Sequence, residues 1–196
     1  ASNLNDIDRR HIWKTDVETG KTTMMTSGHG IEWEPLMLKN DHLMFMASAG
    51  TVPAHPEIIA SNGKRRPLHA SPMSENFPAD RIAPPKQVIF SATDGKRIHG
   101  QLFLPFNYDQ NRKYPAVLYF HGGSRRQMLL GFHYKSYYHD CFAFNQYLAS
   151  QGYIVLSVNY RSGIGYGLDF REDHNFGAKG ASEFQDVMGA GLYLRN

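Results

Sequence analysis

The chain has 196 residues, enough for one ordinary domain or for one domain and part of another. Its 41% hydrophobic and 20% charged residues place it among folded chains, and its single cysteine, Cys141, excludes an internal disulfide framework and a multi-cysteine zinc site. The net charge of +3 is scattered and gives no argument for nucleic acid; no apolar run approaches the roughly 20 residues of a membrane span, and the polar residues 1–10 do not read as a signal peptide.

In chain order, His11–Val17 and Thr22–Thr26 read as short strands about the turn Glu18-Thr19-Gly20-Lys21. Ile31–Met37 contains Pro35 and is therefore a loop or a sheet edge. After the turn Lys39-Asn40-Asp41, His42–Ala47 is a short apolar strand, and Glu57–Ala60 and Arg66–His69 flank the turn Ser61-Asn62-Gly63-Lys64. Short strands at close spacing indicate an all-β sheet or propeller blades. The basic run Lys64-Arg65-Arg66 reads as turn solvation.

A second kind of segment follows. Gln87–Ala92 and Ile98–Leu104 flank Thr93-Asp94-Gly95-Lys96, and Asp-Gly between two such runs predicts a hairpin. Pro115–Phe120 is a continuous apolar run, as expected of a strand buried on both faces. Asp140–Gln151 has helical spacing and ends at Gly152; Tyr153–Val158 is another buried strand. Ser182-Glu183-Phe184-Gln185 fits a capping box that opens a last helix, with Phe184, Val187, Met188, Gly191 and Leu192 on one face. An antiparallel start and then strand–helix–strand–helix predict an α/β sheet with covering helices. Both tryptophans lie before residue 40, all eleven tyrosines lie beyond residue 100, and net charge changes from −1 over residues 1–85 to +4 over 86–196. With Pro84-Pro85 barring continuous helix or central strand, the predicted units are 1–85 and 86–196.

Chemistry is expected where strands end. His121-Gly122-Gly123-Ser124 follows a predicted strand, and its glycines allow either a plain tight turn or backbone N–H groups left free to hold a developing oxyanion. Arg125-Arg126 is either a carboxylate-facing pair or a solvated one. Asn159-Tyr160-Arg161 and Ser162-Gly163-Ile164-Gly165-Tyr166-Gly167 follow the next strand. Their G-x-G-x-G is not a dinucleotide fingerprint, and the two readings are a substrate wall or a packed loop whose Arg161 pairs with a local carboxylate. His133, His139 and Asp140 match no closed zinc spacing, so neither metal nor cofactor is expected. Cys141, beside Phe142 and Phe144, reads as core.

The ordered set of motifs resembles the prolyl oligopeptidase family of serine peptidases, nearest its acylaminoacyl-peptidase-like and dipeptidyl-peptidase-like branches. The motifs are Ile12-Trp13, Asp16-Val17-Glu18-Thr19-Gly20, Trp33-Glu34-Pro35, Asp94-Gly95, Gly100-Gln101-Leu102, Lys113-Tyr114-Pro115, His121-Gly122-Gly123, Gln151-Gly152-Tyr153, Asn159-Tyr160-Arg161 and Gly165-Tyr166-Gly167. The resemblance implies the C-terminal end of a β-propeller over 1–85 and the N-terminal half of an α/β-hydrolase domain over 86–196. It implies an oxyanion hole at His121, Gly122 and Gly123, with the Gly123 N–H as donor, because His121 stands where prolyl-cleaving branches carry a hydroxyl-donating tyrosine. Ser124, Arg125, Tyr160, Arg161 and Tyr166 are the substrate-pocket candidates. Ser162-Gly163 inverts the family's usual Gly-Ser.

G-x-S-x-G is not found between Ala1 and Asn196, and Ser124 lacks the strand–turn–helix setting of a nucleophile. In α/β-hydrolases the triad runs Ser, Asp, His from a later strand, so all three members are expected beyond this sequence. The expectation is thus a fragment of a peptide-cleaving serine hydrolase without its own triad. The alternatives are a non-catalytic interaction module on the same fold and a related carboxylic-ester hydrolase. Expected partners are a peptide substrate, the C-terminal half of the catalytic domain and, as an option, further copies in a homo-oligomer. Cytoplasm and periplasm are both compatible. A sheet interrupted in its middle predicts poor solubility of these residues alone, or assembly with the missing part.

Overall fold

The computed structural model describes residues 1–70, 73–123, 125–177 and 180–195. The candidate Ser124 lies outside them. Strands β1 (Trp13–Thr15) and β2 (Thr22–Met24) form an antiparallel hairpin. Its turn is held by the Asp16 carboxylate, which accepts from the N–H groups of Glu18 and Thr19 and from the Thr19 hydroxyl. Strands β3 (Ile31–Met37), β4 (Leu43–Ser48), β5 (His55–Ile59) and β6 (Arg65–Pro67) then make a four-stranded antiparallel meander in chain order. β3 is a strand at the sheet edge. Its register slips between Trp33 and Leu36, where Pro35 has no N–H to donate. Leu43, Phe45 and Ala47 pack with Ile12 on one face of the meander.

The basic run in this part is not simple turn solvation. Arg65 bonds Glu57 and, at 3.0 Å, the fully buried Glu32, which also takes His11 Nδ1 and the Thr26 hydroxyl at 2.8 Å each. A carboxylate removed from water needs such donors, and Arg65 supplies the charged one.

The second part is a sheet with helices on both faces. Strands β7 (Lys86–Ser91), β8 (Arg97–Phe103), β9 (Ala116–Phe120) and β10 (Ile154–Asn159) lie in the order β7-β8-β10-β9. The first three in that order are antiparallel, and β9 runs parallel to β10. Asp94-Gly95 makes the predicted β7–β8 turn, with Gly95 at φ +89 and its N–H on the Ala92 carbonyl. Helix α1 (Ser136–Ser150) joins β9 to β10, α2 (Leu168–Arg171) is a single turn, and α3 (Glu183–Arg195) closes the described chain. Phe142 and Ala149 of α1 pack with Phe103, Phe132 and Val155 on one sheet face; Ala190 of α3 packs with Phe90, Ile98, Leu156 and Val158 on the other. Strand alternation divides β10 between the two cores. Among the described residues no helix is long and apolar enough to cross a membrane.

Three local expectations change. The apolar strand 115–120 is not buried on both faces: β9 is the outer strand of its sheet, and its residues are half-buried or exposed. The capping box at Ser182 is not formed. The Glu183 carboxylate takes the N–H groups of Ala181 and Gly177 instead, while the Gln185 side chain bonds the Thr93 hydroxyl. The face of α3 that meets the sheet carries Asp186, Gly189 and Ala190, so Phe184, Met188 and Leu192 point outward. Close approach decides this. A Cβ on Gly189 would lie 2.5 Å from the Ser91 carbonyl oxygen and 2.7 Å from Ala92 Cα, whereas Gly191 has open space.

The two parts meet along the N-terminal segment. Asn3 donates to the Gly165 carbonyl, Gln127 donates to the Ile7 carbonyl, and buried Asp8 accepts from Gln87, His99 and Tyr166. Gly189→Ala is expected to lower stability by about 1–3 kcal/mol through overpacking against backbone. Gly191→Ala should raise it by up to about 1 kcal/mol through helix propensity. Urea unfolding midpoints of the two variants check the pair of signs.

Candidate functional site

β9 and β10 are parallel, so the loops leaving their C-terminal ends emerge side by side, which is where open α/β sheets bind ligands. The loop after β9 carries His121, Gly122 and Gly123; the loop after β10 carries Tyr160, Arg161 and Tyr166. The structure brings these sequence candidates together but gives them different work.

His121 is 2% exposed, and its ring stacks on Tyr160 with centroids 4.5 Å apart. Neither ring nitrogen makes a well-formed hydrogen bond to a described residue. Burial, aided by the Arg126 charge, pushes the imidazole down to about 4, so it is neutral at physiological pH. The two peptide planes after it are tied from opposite sides. The Tyr160 hydroxyl donates to the His121 carbonyl at 3.0 Å, and the Tyr138 hydroxyl donates to the Gly122 carbonyl at 2.7 Å. In a trans peptide the following N–H points away from its C=O, so the N–H groups of Gly122 and Gly123 face away from these tyrosines. Both glycines are exposed, and neither N–H donates to any described residue. Gly123 has φ +60, a left-handed conformation that glycine adopts without steric cost.

Arg161 follows the packed-loop reading. It is 3% exposed, hydrogen-bonds two carboxylates and lies 3.4 Å from a third, that of Asp173. Its backbone N–H and Nε bond Asp186 at 2.8 and 3.0 Å, Nη2 bonds Asp186 at 2.7 Å, and a fork of Nη1 and Nη2 holds Asp94 at 2.7 and 2.8 Å. Burial opposes the guanidinium charge, but the bonds to Asp94 and Asp186 overcome this and raise its pKa. The same bonds hold the Asp94 carboxyl down at about 2. Asp186 is fully buried, and burial pushes its carboxyl up against the pull of Arg161.

Tyr166 is also engaged internally. Its hydroxyl donates to Asp8 and accepts from Asn159 Nδ2 at 2.8 Å, while its ring lies 4.6 Å from His99. Arg125 pairs with Glu172 at 2.9 Å and lies over the Phe176 ring. His133 bonds the Gln127 carbonyl and accepts the Lys135 N–H, whereas His139 lies beside Asp140. Cys141 is half-buried on α1, beside the Tyr119 hydroxyl. Sequence reasoning missed Tyr138 and Asp186. Tyr138 meets Gly122 across sixteen residues, and Asp186 sits on the face of α3 opposite the apolar stripe; neither contact has a local sequence signal.

Two outcomes follow. Arg161→Met strips the buried Asp186 of its counter-charge and is expected to cost about 3–5 kcal/mol, with Arg161→Met/Asp186→Leu recovering much of the loss in urea melts. His121 titrates near 6.5 when unfolded and about 4 when folded, so its contribution to stability is present above pH 6.5 and lost as pH falls toward 4. His121→Phe, which keeps the stack on Tyr160, should flatten that stability–pH slope by about one proton; an unchanged slope would contradict the neutral buried ring.

Comparison with known proteins bears on the fold and on the family that the sequence is similar to. The sequence model of the Prolyl oligopeptidase family matches residues 141–196. Dipeptidyl-peptidase 5 of Porphyromonas gingivalis is 25% identical over 183 residues, which is 92% of this chain and 25% of that protein. A puromycin-hydrolyzing peptidase of Mycobacterium tuberculosis superposes with TM-score 0.76 at 17% identity, over 96% of this chain and 28% of its own. The acylaminoacyl peptidase of Pyrococcus horikoshii superposes with TM-score 0.67 at 23% identity, over 90% and 26%. These structural likenesses concern the fold, and this chain spans about a quarter of each relative's length. Residues 141–196 thus match the model of the Prolyl oligopeptidase family, and the chain as a whole is similar to peptidases over nine-tenths of its length.

Proposed function

We propose that these residues are part of a serine-type peptidase acting through an acyl-enzyme, and that they supply its oxyanion donor, the Gly123 N–H, with the Gly122 N–H beside it. The observation that carries this reading is the pair of exposed N–H groups at the C-terminal end of β9, unengaged among the described residues, with the carbonyl of each peptide plane tied back by a tyrosine. As a nucleophile adds to a peptide carbonyl, charge develops on its oxygen, and fixed backbone dipoles stabilise that charge without reorganising. His121, buried and neutral, contributes ring packing to this wall.

The serine, its histidine and its acid are assigned to residues outside this sequence, in the order Ser, Asp, His on later strands. Several features support a catalytic domain that continues past β9. The outer edge of β9 has no partner strand among the described residues. Tyr137 and Phe144 on α1, and Phe184, Met188 and Leu192 on α3, leave apolar surface exposed on the two flanking helices. Residues 86–196 are accordingly read as the N-terminal part of an α/β-hydrolase domain. Residues 1–85, with their four-stranded meander, are read as the end of a β-propeller, since one such meander forms each blade. The substrate class follows the names of the relatives, dipeptidyl-peptidase and acylamino-acid-releasing enzyme: short peptides that lose a dipeptide or an acylated residue.

The full-length protein carrying this sequence is expected to cleave a peptidyl p-nitroanilide and to be labelled by a fluorophosphonate, while residues 1–196 alone do neither. Hydrolysis of a p-nitrophenyl ester by residues 1–196, abolished by Ser124→Ala, would place the nucleophile here and refute the assignment. A full-length protein inert to both reagents would favour the interaction-module alternative.

A further inference from the structure

We propose that Tyr138 and Tyr160 are positioning residues for the oxyanion donors: each hydroxyl fixes one peptide plane of the loop after β9, and together they set the direction of the Gly122 and Gly123 N–H groups. This rests on the reading of those N–H groups as donors and adds the means by which they are aimed.

The geometry is specific to each plane. The Tyr160 hydroxyl, 3.0 Å from the His121 carbonyl oxygen, fixes the peptide joining 121 to 122 and therefore the Gly122 N–H. The Tyr138 hydroxyl, 2.7 Å from the Gly122 carbonyl oxygen, fixes the peptide joining 122 to 123 and therefore the Gly123 N–H. Without these bonds a Gly-Gly step has wide conformational freedom, and the Gly122–Gly123 peptide could rotate to present a carbonyl oxygen to the substrate. A carbonyl there would repel the developing negative charge instead of stabilising it.

Both hydroxyls are themselves well placed. Tyr138 is buried on α1, and its ring meets the His133 imidazole edge-on at 5.4 Å. His133 is in turn fixed by the Gln127 carbonyl and the Lys135 N–H at 3.1 and 3.0 Å. Tyr160 is stacked on His121 and is followed directly by Arg161, whose backbone N–H is held by Asp186. Two different elements, α1 and the loop after β10, thus reach the same dipeptide from two sides.

Removing a direct oxyanion donor costs about 100–1,000-fold in kcat, so loosening one donor's orientation should cost less, about 5–30-fold. The test uses the full-length protein, with active sites counted by fluorophosphonate titration so that misfolded molecules do not enter kcat. Tyr138→Phe is expected to lower kcat about 5–30-fold with KM changed less than about twofold, and to weaken a tetrahedral-adduct peptidyl boronate by a similar factor. Tyr160→Phe should act in the same direction. If Tyr138→Phe fails to fold, Tyr160→Phe decides alone. Unchanged kcat and boronate affinity would overturn the positioning role, as would a rise in KM at constant kcat, which marks a substrate contact. In both cases peptide cleavage by the wild type would leave the peptidase reading standing. A wild type that neither cleaves peptide nor titrates would overturn both.

Discussion

The buried guanidinium of Arg161 is the constraint on which the site depends. It stands where β10 ends and holds the β7–β8 turn through Asp94 and the first turn of α3 through Asp186. An arginine taken out of water has to find acceptors for its donors, and two carboxylates in forked geometry provide them. Desolvation opposes both partners, so the ensemble holds because the bonds are numerous and well aligned. The consequence is positional. With Arg161 immobile, the Tyr160 backbone beside it cannot drift, and the Tyr160 ring becomes a fixed wall for His121 and its peptide.

The rest of that loop is tied just as firmly, but toward the N-terminal segment. Tyr166, five residues beyond Arg161, gives its hydroxyl to Asp8, and Asn3 bonds the Gly165 carbonyl. His99 and Gln87 reach the same Asp8 carboxylate from β8 and β7. Burial works to raise the Asp8 pKa, and the bonds from His99, Tyr166 and Gln87 outweigh it, so the carboxylate stays ionised. One loop therefore has three anchors: Tyr160 toward the strand-end dipeptide, Arg161 toward the helix, and Tyr166 toward the N-terminal segment. The strand-end site and the junction between the two parts of the chain share a single piece of backbone.

Much of this was legible in the sequence where the cause is local. Asp94-Gly95 marks its hairpin because few other dipeptides accept the required turn, and Pro35 marks an edge because it cannot donate to a neighbour. The run Tyr153–Val158 reads as a buried strand because it is one, lying between β8 and β9. Pro115–Phe120 looks the same in composition yet forms an outer strand, since composition records a wish for burial but not which neighbour provides it. The outward stripe of α3 fails for a related reason: helical spacing finds an apolar face, but Gly189 and the Arg161–Asp186 pair select the face that docks. Tyr160, Arg161 and Tyr166 were identified as a group, but their separate partners are 39, 25 and 158 residues away and become visible with topology. Tyr138 carried no signal at all, because a tyrosine on a helix is ordinary until its hydroxyl meets a glycine carbonyl.

The strand-end loop also shows how an orienting task is distributed. Gly123 occupies a left-handed conformation, and both nitrogens of buried His121 lack a well-formed partner among the described residues, so the loop itself is not optimised for stability. Its neighbours supply the order instead: an aromatic stack on one side, a tyrosine hydroxyl on each peptide plane, and behind them the charged clasp of Arg161. Keeping His121 neutral belongs to the same arrangement. An imidazolium in this place would bury a full charge beside the loop, next to Arg126, whereas a neutral ring packs on Tyr160 without that cost. The direction of the two peptide planes is then set by rigid groups farther out, while the Gly-Gly step itself stays small and exposed.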